Sequence, residues 1–144
     1  VPHQTISYHK IITKMRKYKY AKETLDVALE GLQSENVVQR KKSARFITMA
    51  SCSELFGKRC DTLGVQTWFL SLENREKLIK ALHQETEDKL LWEYLSILYW
   101  VCRRYIDHSC YAKDFAKEKA CVEFKQRAYE MAKQYSHHSS AIVR

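Results

Sequence analysis

Three glycines and one proline in 144 residues restrict the fold of this chain more than any other feature. Hairpin turns, bulges and phosphate-cradling loops draw on those two residues, because glycine supplies positive φ and proline a fixed φ. Their scarcity predicts an all-α fold. Gly31, Gly57 and Gly64 are isolated from one another, so neither a dinucleotide-binding fingerprint nor a P-loop can be assembled from them. The length suits a single domain with one core, expected over residues 1–135, followed by a small polar tail, 136–144, expected to be flexible.

Apolar periodicity divides the chain into helices. Thr5 to Tyr20 places Ile6, Tyr8, Ile11, Ile12, Met15 and Tyr18 at helical spacing among Lys10, Lys14, Arg16, Lys17 and Lys19, which predicts a basic amphipathic helix. A second helix begins near Thr24, carries Leu25, Ala28, Leu29 and Leu32 on one face, and stops near Ser34. There Ser-Glu-Asn supplies a polar break and a candidate N-cap for a helix from Val37 to Phe56. Gly57 is its candidate C′ residue. Residues 58–72 read as irregular, with a short helix around Val65, Trp68, Phe69 and Leu72. Ser71 or Asn74 then caps a helix through Leu78, Ile79 and Leu82. The most apolar helix, Asp88 to Tyr105, is expected to be the centre of the core, its polar line passing through Glu93, Ser96 and Arg103 or Arg104. Ala112 to Tyr135 forms the last, with Phe115, Val122, Phe124, Ala128, Met131 and Tyr135 facing inward.

The chain carries 25 Lys and Arg against 17 Asp and Glu, a formal charge of +8. Residues 1–60 hold 12 basic and 5 acidic side chains, so the positive field belongs to the N-terminal part. Such a field concentrates polyanions, whether acidic peptide, nucleic acid or anionic lipid. Five cysteines, an odd number without a secretory leader pattern, fit reduced thiols and a cytoplasmic location, with the nucleus as the alternative. The longest apolar run, Leu90 to Cys102, contains Glu93 and is well short of the roughly 20 residues that cross a bilayer. Integral membrane association is therefore not expected.

Two segments superimpose at an offset of 50. Leu29-Glu-Gly-Leu32 aligns with Ile79-Lys-Ala-Leu82, Glu35 with Glu85, and Ile47 with Ile97. Each is a short helix, a polar turn and a longer helix, the pattern of units that bury their faces by stacking. The stretch from Ala28 to Ile47 resembles a HEAT/armadillo repeat, with Val38 and Arg40 in place of its valine–arginine pair and Ala44 at its small-residue position. The second copy departs from that pattern, having Asp88-Lys-Leu-Leu-Trp92 there. The resemblance implies about six or seven helices, stacked as antiparallel pairs in a superhelix. A second segment, Gly57 to Leu70, looks somewhat like the VHS domain of trafficking adaptors, but Cys60 stands where that family has an aromatic residue.

Cys102, His108, Cys110 and Cys121 lie within twenty residues, yet lack the paired short spacing of structural zinc sites, so buried thiols are the expected reading and no metal or cofactor is assigned. No Cys–His or Ser–His combination lies in a strand–turn–helix setting with a glycine elbow. Glu85, Glu87 and Asp88 read as a solvated turn with capping roles, and catalysis is not expected. The candidate binding residues are two basic clusters. Lys14, Arg16, Lys17, Lys19 and Lys22 are interleaved with Tyr18 and Tyr20, a mixture suited to phosphates and bases. Arg40, Lys41, Lys42 and Arg45 start a helix, where positive charge opposes the macrodipole. A solvated helix face is the alternative for both. One of Trp100 and Tyr99 is expected to border the polar line beside Ser96 and Arg104, and Trp100 is taken as a candidate interface aromatic, with a core position as its alternative. The expected function is a non-catalytic scaffold or adaptor module that binds an acidic segment of another protein. Nucleic-acid binding and a VHS-like trafficking role are the alternatives.

Overall fold

The computed structural model describes residues 17–52, 59–107 and 119–136. Within them the chain is all-helical: α1 (Lys22–Gly31), α2 (Val37–Cys52), α3 (Thr62–Leu70), α4 (Leu72–Gln84), α5 (Asp88–Trp100), a π-helical continuation of α5 (Val101–Asp107), and α6 (Lys119–Tyr135). The expected helix up to Tyr20 falls mostly outside the described residues, as do Gly57 and the tail beyond Ser136. Its end is corrected. Tyr20 is not helical, because its N–H donates to the Arg59 carbonyl at 3.1 Å and its carbonyl accepts from the Asp61 N–H at 2.8 Å.

Local chemistry sets the helix boundaries. The Thr24 hydroxyl accepts from the Ala21 N–H at 2.8 Å and donates to the Ala21 carbonyl, so α1 starts two residues before Thr24. Asn36 caps α2, its side-chain oxygen accepting from the Val38 N–H at 2.9 Å. Asp61 caps α3 through the Gly64 N–H, and Ser71 caps α4 through the Asn74 N–H. The short helix expected around Val65, Trp68 and Phe69 is thus present as α3, nine residues long. It is joined to α4 by Ser71 alone, and the Asn74 side chain fixes the bend by donating to the Trp68 carbonyl at 3.0 Å.

Packing follows the apolar faces. α2 and α5 lie against each other at the centre, α1 covers α2, and α4 covers α5. Ile47 and Ile97, the pair matched at an offset of 50, are both fully buried, as are Leu25, Phe69, Leu82, Leu90 and Val101. Each such side chain contributes about 1.5–3 kcal/mol of burial. α3 packs on both α1 and α4, and the indole N–H of Trp68 donates to Asp26 of α1 at 2.8 Å. Gly31 permits the closest approach of α1 to α2, since a Cβ there would collide with the Ser43 side chain. At the far end Arg75 of α4 is buried beneath the Phe124 ring of α6, 4.7 Å from its centroid, and Arg127 of α6 pairs with Glu76 of α4.

Candidate interaction surface

Tyr20, beside the first basic cluster, packs on the helix that carries the second. Tyr20 stacks on Phe46 with ring centroids 4.9 Å apart, and Phe46 lies one helical turn beyond Lys42. Lys17 and Lys19 are exposed and lie over the Tyr18 and Tyr20 rings at 5.2 and 5.3 Å. The Tyr20–Cys60 bridge adds Arg59, and Arg104 stands close enough to Cys60 for its charge to favour the thiolate. Burial outweighs that effect and holds the Cys60 thiol above its ordinary range. Lys14 and Arg16 lie outside the described residues.

Within the second cluster the four cations divide by role. Lys41 and Lys42 are exposed. Arg45 is mostly exposed and touches Glu93 of α5 at 3.5 Å. The carboxylate of Glu93 also accepts from the buried Thr48 hydroxyl at 2.6 Å. Arg40 is an internal clamp. Its Nε and Nη2 donate to the two oxygens of Glu85 at 3.1 and 3.3 Å, and its Nη1 donates to the carbonyls of Ser34 and Glu35 at 3.0 and 3.1 Å. One guanidinium therefore joins the α1–α2 turn to the α4–α5 turn.

Glu85 was expected in a solvated turn, but its side chain is only 3% exposed. Besides Arg40, it accepts from the backbone N–H groups of Thr86 and Glu87 at 3.0 and 3.1 Å, and Tyr94 O–H lies 3.5 Å away. Burial alone pushes its carboxyl pKa up. The hydrogen bonds from Arg40, Glu87 and Thr86 outweigh that and hold it below the ordinary carboxylate range. The same contact raises the Arg40 pKa, while burial, followed by the Glu85 charge, drives the Tyr94 phenol far upward.

Trp100 is half-buried, edge-on to Tyr99 with centroids 5.2 Å apart. The outward aromatics of α5 are instead Trp92 and Tyr99, 45% and 53% exposed. Tyr99 is the other aromatic that the sequence placed beside the polar line, whereas Trp92 escaped that reading because a helix this apolar gives no clear phase for its exposed stripe. Of the four zinc candidates, only Cys102 has a described side chain, and the described residues form no group of three or more His, Cys, Asp or Glu able to hold a metal. Among the described residues no helix is long and apolar enough to cross a membrane. No protein-family model matches the chain, and no curated protein or solved structure matches it.

Proposed function

We propose that this chain is a non-catalytic protein-interaction module, of HEAT/armadillo-like helical stacking, that binds an acidic segment of a partner protein along α2. The observation that carries this reading is the separation of roles on one helix. Arg40 is used internally, whereas Lys41, Lys42 and Arg45 present cations on the outside of a helix that contains no acidic residue. Positive charge at the first turns of α2 opposes its macrodipole, a local cost that a polyanionic partner offsets. Lys17, Lys19, Arg59 and Arg104 extend the positive field toward the Tyr20–Cys60 bridge.

The test is binding of a labelled poly-glutamate peptide and of single-stranded RNA to the whole chain across a salt series. An acidic-segment reader binds the peptide with a shallow salt dependence and loses it on Lys41→Glu with Lys42→Glu. A nucleic-acid reading is favoured by the tyrosine-interleaved lysines at 17–20 and requires log K for RNA to fall steeply with log salt, in proportion to the phosphates neutralised. Capture from native extract with the wild type and with reversal at Lys41, Lys42 and Arg45 would then compare natural partners. Identical captures remove α2 from the surface.

A further inference from the structure

α2 carries two guanidinium–carboxylate pairs, and they are built differently. Arg40 meets both oxygens of Glu85 and two backbone carbonyls, with its side chain 19% exposed and that of Glu85 3%. Arg45 meets one oxygen of Glu93 through one nitrogen at 3.5 Å, longer than a well-formed hydrogen bond, and its side chain is 60% exposed. A single long contact on so exposed a side chain holds weakly, because water competes for both groups. Glu93 is fixed from within. Its side chain is 16% exposed, and its other oxygen accepts from the buried Thr48 hydroxyl at 2.6 Å. The carboxylate therefore has an anchor of its own when the arginine swings away.

Helical spacing sets what surrounds the pair. Lys41 stands one turn before Arg45 on α2, and Lys89 one turn before Glu93 on α5, both exposed and on the faces that carry the pair. Asp88, the other acid within α5, lies five residues from Glu93, about 140° round the helix, and Glu87 is outside the helix as its N-cap. Glu93 is thus the carboxylate that a segment docked on α2 meets beside Arg45. It opposes such a segment twice, by like charge and by holding a guanidinium whose fork suits a carboxylate. We infer that Glu93 is an internal competitor of the partner: on docking, a carboxylate of the acidic segment takes the Arg45 guanidinium from Glu93, which stays on Thr48. The inference rests on the proposed function and makes the Arg45–Glu93 exchange the step that limits its affinity. Arg40 takes no part, since releasing it would strand the buried Glu85.

The experiment uses the whole chain and a fluorescein-labelled poly-glutamate peptide, read by fluorescence anisotropy at fixed salt. Glu93→Gln keeps an oxygen for the Thr48 hydroxyl and removes the charge that holds Arg45, so it should tighten the peptide about three- to fivefold. Glu130→Gln makes the same change of charge on α6 and should leave affinity within about 1.5-fold, because charges that distant are screened. In an Arg45→Gln background the gain from Glu93→Gln should largely vanish, which a double-mutant cycle reads directly. Unchanged or weakened binding by Glu93→Gln overturns the inference. So does an equal gain from Glu130→Gln or in the Arg45→Gln background, which would make Glu93 a general surface charge. A measurement on the unmodified chain guards against misfolded variants: in nitrogen-15 NMR the Arg45 Nε–H resonance should move on adding peptide while that of Arg40 stays. A stationary Arg45 resonance at saturating peptide also overturns it. If the wild type binds and loses the peptide on Lys41→Glu with Lys42→Glu, yet Glu93→Gln adds nothing, the exchange fails and the α2 reading stands. Absence of binding by the wild type and by Glu93→Gln alike removes both.

Discussion

The two helical hairpins, α1–α2 and α4–α5, share a core register and differ at their turns. Leu29 and Ile79, Leu32 and Leu82, and Ile47 and Ile97 are pairwise equivalent and all buried. At the turns Glu35 is exposed, whereas its counterpart Glu85 is almost wholly buried under Arg40. Arg40 itself has the buried Leu90 as its counterpart. The difference teaches that matched apolar spacing sets the form of each hairpin, while one unmatched ion pair decides how the hairpins are tied together.

The largest expected effect tests the shared part. Ile47→Ala and Ile97→Ala should each destabilise the chain by about 3–4 kcal/mol in urea unfolding, and by similar amounts, because both leave a cavity in a closed core. A much smaller cost for either would break the equivalence of the hairpins. The turns should behave oppositely. Glu85→Ala is expected to cost about 2–3 kcal/mol, having stranded the guanidinium and two backbone donors, against less than about 0.5 kcal/mol for Glu35→Ala. Equal costs would mean that the clamp is not what distinguishes them.

A smaller asymmetry concerns the helix contacts. Gly31→Ala should cost about 1–2 kcal/mol through collision with Ser43, and Ser43→Gly should recover most of it. The counterpart of Gly31 is the buried Ala81, where Ala81→Gly should cost about 1–2 kcal/mol through lost helix propensity and the lost burial of its methyl, with no collision to relieve. The finest probe is pH. Since folding lowers the Glu85 pKa, its contribution is fully present above the unfolded value of about 4.3 and is lost as pH falls through the folded value. The stability gap between wild type and Glu85→Gln should therefore be constant near neutrality and close under acid, as read by denaturation at a series of pH values. A gap that persists in acid would show that the clamp acts by packing and not by charge.

Much of the helical layout was legible. The Ser-Glu-Asn break and Ser71 before α4 are written in local capping chemistry, and the structure follows them within a few residues, whereas α5 opens at Asp88 without a side-chain cap. The short α3 was legible as a helix without definite ends, because its nine residues give little periodicity and its buried Trp68 is held by Asp26 from another helix. The candidate basic residues were identifiable by type. Their division was not, for Arg40 and Lys41 are adjacent in the chain and differ only in what lies across from them.

Scarcity of glycine and proline, with apolar residues at helical spacing, determined by itself that the described chain is helical and which residues form much of its core, because those are properties of neighbours along the chain; Val122, read as facing inward, is instead 55% exposed. Only the tertiary structure decided that Arg40 is a clamp, that Glu85 is buried, that Tyr20 leaves the helix to meet Cys60, and that Trp92, Tyr99 and Tyr129 share a groove. Each depends on a partner some thirty to fifty residues away or on the rotation of one helix against another, and local pattern carries no record of either.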